Sequence, residues 1–137
     1  MTGDPGRRAQ GPPAGGADLD EAARRGVALY NAGKFWEAHE ALEIVWRRSA
    51  DPERSLWQGL ILAAAAMLHR ERGNRHGLEA QGRAAVERLR AGAPPGFPVE
   101  TARFVQALAR CVDEGGAVPR MAFTPAPGQA APRTDDA

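Results

Sequence analysis

Phe35-Trp36-Glu37-Ala38-His39-Glu40-Ala41-Leu42-Glu43-Ile44-Val45-Trp46 is the stretch on which the reading of this chain turns. At about 100° per residue, Phe35, His39, Leu42 and Trp46 fall on one helical stripe, with Glu43 one position to its side. The spacing predicts an amphipathic helix with a histidine set into its apolar face. An imidazole in such a place needs a hydrogen-bond partner, a metal or a proton, because a polar group buried alone costs a few kcal/mol. This helix is therefore the expected seat of function.

Working outward, helix punctuation recurs and no segment alternates as a half-buried strand does. Asp18 and Glu21 fit a capping box that opens a first helix running to about Ala32 and stopping at Gly33. The second helix follows at once, from about Lys34 to Arg48, so the two form an antiparallel hairpin. Asp51-Pro52 reads as the start of a third helix, which continues to Arg72 before Gly73. Leu56, Trp57, Leu60, Ile61, Leu62, Met67 and Leu68 cover nearly every direction around it, as in a helix at the centre of a fold. A fourth helix is expected over about 75–91, with Leu78, Ala85 and Leu89 inward. A fifth is expected from Pro98 to about Glu114, burying Val105, Leu108 and Val112. The fold class expected is all-α: a compact bundle of about five helices around helix three.

The body of the fold is expected over 18–118. Residues 1–17 and 119–137 are rich in proline and glycine and are expected to be largely disordered tails. Met121 and Phe123 are the two side chains suited to pin the start of the second tail. The net charge is +1, and acidic and basic residues are equal in number between Asp18 and Val118. Such a balance argues against nucleic acid as a partner. The longest apolar run, Leu60 to Leu68, is about half of what spans a bilayer, so no membrane partner is expected. Cys111 is the single cysteine, which fits a reducing, cytoplasmic setting, and it falls with Phe104 and Leu108 on one helical face.

The candidate chemistry lies on helices two and three. His39 and Glu43, four apart, lie on one side of their helix and are the candidate metal ligands. Glu40 is the candidate catalytic acid or base. The order His-Glu-x-x-Glu differs from the zinc-protease pattern, which has histidine at both ends. On helix three, Gln58, Leu62, Ala65 and His69 form a stripe at spacings of four, three and four. If that stripe faces helix two, Trp36, His39, Glu43, Trp46, Gln58 and His69 line a polar pocket rimmed by Trp36, Trp46 and Trp57. A divalent metal ion or a small polar ligand is the expected occupant. A purely structural role for His39, fixing register through a hydrogen bond, is the competing reading.

Together, the blocks Gly33-Lys34-Phe35-Trp36-Glu37-Ala38-His39-Glu40, Leu42-Glu43, Trp46, Gln58-Gly59-Leu60-Ile61 and Gly73-Asn74 resemble the bacterial and archaeal family catalogued as domain of unknown function 309. The resemblance runs from about Asp20 to Val112. It implies an all-α domain and a cytoplasmic location. It also implies a metal-dependent hydrolase, a label attached to the family without an established ligand set. The rival function is a non-catalytic helical interaction module, since 26–41 is similar to the helix-turn-helix of a tetratricopeptide unit. No second copy of that unit appears at its period. A homodimer is the expected assembly for a domain this small, although no heptad or apolar stripe marks an interface.

Overall fold

Gly33 and Gly73 set the two tightest turns, each with a positive φ, 81° and 73°. Only a residue without Cβ takes that conformation at no cost. In both turns the next amide reaches back five residues: Lys34 N–H donates to the Leu29 carbonyl and Asn74 N–H to that of His69, each at 2.9 Å. This is the Schellman closure, which satisfies carbonyls left over at a helix end. The computed structural model of the chain describes residues 16–125, with side chains from Glu21 onward.

Five helices follow in order: α1 (Gly16–Asn31), α2 (Phe35–Arg48), α3 (Glu53–Glu71), α4 (Arg75–Leu89) and α5 (Ala102–Glu114). No strand occurs among the described residues. The expected all-α bundle is what the chain forms. Each helix packs on its successor, and α3 lies between α2 and α4. Leu56, Trp57, Leu60, Ile61 and Met67 of α3 are all buried, which accounts for its apolar circumference. Leu78, Ala85 and Leu89 face inward from α4, and Phe104, Leu108, Cys111 and Val112 from α5, where Val105 of the expected stripe is only half-buried. Burial pushes the Cys111 thiol pKa up, as expected of a packing residue. No helix among the described residues is long and apolar enough to cross a membrane.

At α3 and α5 the helix starts differ from expectation. At α3, Pro52 stands just outside the helix and no side chain caps it, so Asp51 does not act as the cap. At α5, the helix begins at Ala102 rather than Pro98. Phe97 and Val99 are buried instead as extended chain, paired with the segment that follows α5. Glu100 N–H donates to the Ala122 carbonyl at 2.8 Å and Thr124 N–H to that of Pro98 at 2.7 Å. Glu100 then caps α5, its carboxylate accepting from Arg103 N–H at 3.3 Å. An acid at that position also suits the positive end of the helix.

The segment after α5 is tied down by a side chain of α1. Asn31 donates to the Met121 carbonyl and accepts from the Met121 amide, both at 2.9 Å. Met121 is buried, whereas Phe123 is exposed. Helix α1 is already formed at Gly16, so Asp18 lies inside it and is not its N-cap; the tails 1–15 and 126–137 lie outside the described residues.

Tyr30 ends α1 deep in the core, edge-on to Phe35 and Phe104 at centroid separations of 5.3 and 5.9 Å. Its hydroxyl is buried without a hydrogen-bond partner, and burial raises its pKa. A buried hydroxyl without a partner costs about 1–3 kcal/mol. Tyr30→Phe keeps both ring contacts and removes that cost. The urea midpoint should therefore stay constant or rise by an amount equivalent to about 1 kcal/mol. A fall would mean that the hydroxyl is satisfied in solution.

Candidate functional site

The buried side of α2 is formed by Phe35, Ala38, Ala41, Leu42 and Val45. His39, Glu43 and Trp46 sit on the flank of that side and are partly buried, while Trp36 is 52% exposed. The stripe expected to be interior is thus half open. Phe35 and Leu42 point inward, and the polar members border solvent. The physical reason is the width of the apolar arc: one helix turned toward both α1 and α3 leaves its flanks at the rim.

The His39 imidazole stacks on the Trp36 indole, with centroids 5.6 Å apart and planes 8° from parallel. Its Nδ1 is buried and makes no hydrogen bond. The nearest charged oxygen is Glu43 Oε2 at 3.9 Å, beyond hydrogen-bond range. The other carboxylate oxygen, Oε1, accepts from Arg47 Nη2 at 3.2 Å. One ring nitrogen and one carboxylate oxygen are left side by side, both with spare acceptor capacity when the ring proton is on Nε2.

Across from α2, the Arg54 guanidinium lies 4.1 Å above the Trp46 ring. That contact fixes the register of α2 against α3. Because 49–52 joins them as a short turn, ascending α3 runs down α2. Gln58 comes level with Glu43, Leu62 with His39, and Ala65 with Trp36, one turn at a time. Gln58, Leu62, Ala65 and His69 are all partly exposed. They form an open seam along α3.

His69 belongs to the far end of that seam, 11 residues or about 16 Å along the axis from Gln58. Its ring covers Gly77 so closely that a Cβ there would lie 2.4 Å from His69 Nδ1. The same nitrogen is 3.2 Å from the Asn74 amide, and Asn74 caps α4 by accepting from Gly77 N–H at 2.9 Å. His69 is thereby engaged in the α3–α4 turn. His76 is exposed in the first turn of α4. Trp57 leaves the rim altogether: it is 2% exposed and packs on Phe97 at 4.9 Å. Glu40 is exposed on the outward face of α2.

The donor set does not fit a metal held by one chain. Zinc takes about four ligands, and His39 with Glu43 supplies two. No group of three His, Cys, Asp or Glu side chains suited to a metal occurs among the described residues. Clefts open elsewhere. One of about 520 Å³ lies between the start of α5 and 119–125, lined by Arg103, Phe104, Arg120 and Phe123. Another of about 490 Å³ surrounds 92–102. None of the residues predicted for the site lines either. The pinning of 119–125 that creates the first cleft left one trace in the sequence, the apolar pair Met121 and Phe123.

A comparison with curated proteins found no match. A family model described as Domain of unknown function (DUF309) matches residues 23–80. The match covers 23–31 of α1, all of α2 and α3, and 75–80 of α4; it takes in the Trp-His-Glu and Gln-Gly blocks but stops short of α5, although the resemblance is expected to reach Val112. Over residues 23–80 the chain is similar to the family described as Domain of unknown function (DUF309).

Proposed function

We infer that the open seam of α3 and the half-buried flank of α2 enclose a shallow groove that binds a small organic ligand carrying a protonated nitrogen. The observation that carries this reading is the buried, partnerless Nδ1 of His39 beside Glu43 Oε2 at 3.9 Å. Buried polar atoms are paired in the great majority of proteins, so an orphan at a groove marks where a partner belongs. Two acceptors at that separation are both within about 2.7–3.2 Å of a single nitrogen placed between them. A cation suits the Glu43 carboxylate, and the exposed Trp36 face attracts it further. Arg54 on Trp46 is an example, within the same groove, of a cation on an indole. Gln58 is level with Glu43 and supplies an amide for orientation.

The roles follow residue by residue. His39 accepts, Glu43 accepts and neutralises, Trp36 and Trp46 wall the two ends, and Gln58 orients. His69 serves the α3–α4 turn in this scheme, and Glu40, outside the groove, has no step assigned. Benzylammonium chloride is a suitable probe. Calorimetric titration into the full chain should give saturable heat that is lost in His39→Ala and in Glu43→Gln. Heat that persists in both variants, or none from the start, would contradict the reading. A parallel titration with Zn²⁺ separates the metal alternative: binding that only the double variant His39→Ala/Glu43→Ala abolishes would place an ion there instead.

The second reading, a non-catalytic interaction module, has its own support. Trp36 and Ile44, exposed by 52% and 41%, both lie on the outward face of α2.

A further inference from the structure

We propose that the outward face of α2 is a self-association surface whose partner is the same face of a second copy, antiparallel. The proposal gives the interaction-module reading its partner and shares only Trp36 with the ligand reading. Among the described residues, three large apolar side chains are exposed: Trp36, Ile44 and Phe123. Two of them are on this one helix, flanking Glu40. Charge divides along the same face. Glu37 and Glu40 occupy the N-terminal half, and Arg47 and Arg48 the last turn. A surface acidic at one end and basic at the other is complementary to itself under a two-fold axis.

Helical geometry supplies the register. A two-fold axis that makes two helices antiparallel keeps each flank facing the same flank of its partner. At about 100° per residue, Trp36 and Arg47 share one flank, and Glu37 and Arg48 share the other. One register satisfies both flanks. Trp36 then meets Arg47 of the second copy, a cation over an indole. Glu37 meets Arg48 of the second copy as an ion pair. Glu40 and Ile44 cross at the centre, where the glutamate stem covers isoleucine and its carboxylate reaches toward the arginines. Each contact occurs twice. A parallel arrangement would instead set acid on acid and base on base.

One helix of 14 residues from each copy makes a small interface, so association is expected at concentrations on the order of 10–100 μM. Sedimentation of the full chain tests it. Glu37→Lys and Arg48→Glu each juxtapose like charges twice per dimer and should each weaken self-association at least about tenfold. Mixed in equal amounts, these two variants pair lysine with glutamate on one side and arginine with glutamate on the other. The mixture should sediment as a dimer although neither component does.

Both substitutions oppose the macrodipole of α2, so recovered association cannot come from a more stable helix. Circular dichroism checks that each variant stays folded. Phe123→Ala, which removes the exposed apolar side chain outside α2, should leave association unchanged, which assigns the surface to α2. A wild-type chain that remains monomeric to about 1 mM overturns the proposal. So does a dimer indifferent to both charge reversals, or a mixture that stays monomeric.

Discussion

Trp57→Ala is expected to destabilise the fold by about 3–5 kcal/mol, the range for removing a large aromatic from a core. Trp57 is 2% exposed, packed against Phe97 with ring centroids 4.9 Å apart and planes tilted by 51°, and sits on the helix that α2 and α4 both pack against. Its loss would remove core volume and also release the extended 97–99 segment, which covers that end of α3. The contrast is with Trp36→Ala, at a position 52% exposed, where stability should change by no more than about 0.5 kcal/mol. Chemical denaturation of the two variants side by side is the check. Equal losses would mean that the two indoles are equally buried, against the arrangement described above.

Gly82→Ala is the second large effect, and its sign is the informative part. In the interior of a helix, exchanging glycine for alanine normally gains about 1 kcal/mol. Here a Cβ would lie 2.4 Å from Cγ2 of Val112, a buried residue of α5. Valine has few rotamers with which to yield, so α4 and α5 must separate, at a cost of about 1–3 kcal/mol. A net loss is expected in urea melts. Adding Val112→Ala removes the obstructing methyl, so the double variant should lose less than the sum of the two single changes. Additive losses would mean that the helices do not touch at this point.

The fold was legible wherever local chemistry and packing agreed. Gly33 and Gly73 ended helices because a positive φ was needed there, and that requirement is written in the residue type. The apolar circumference of α3 announced a helix with neighbours on both sides. The start of α5 was not legible from local signals. Pro98 looks like a first helical residue, yet Phe97 and Val99 are claimed by pairing with 122–124, a contact more than twenty residues away. Glu100, three residues before Arg103, was the actual start signal. Asp51-Pro52 misled in a similar way, since the proline falls one residue short of the helix.

For the site, periodicity brought His39 and Glu43 to one side of α2 and Gln58 to the open seam of α3. It could not say how far in they would lie. Depth depends on how α1 and α3 share the apolar arc of α2, which no single helix encodes. The same limit explains Trp57 and His69. Trp57 is adjacent to Gln58 in sequence but about 100° around the helix from it, and so points into the core. His69 shares the seam of Gln58 but is taken up by Gly77 and Asn74, a contact created only when α4 folds back.

Ligand binding at α2 requires His39 Nδ1 to be an acceptor held ready beside a carboxylate. The ¹⁵N resonances of the imidazole, followed by nuclear magnetic resonance during titration with benzylammonium, read that atom directly. The free protein should show the proton on Nε2, and the Nδ1 resonance should move with the probe and stand still in Glu43→Gln. A free protein with its proton on Nδ1, or an Nδ1 resonance that ignores the probe, would contradict it.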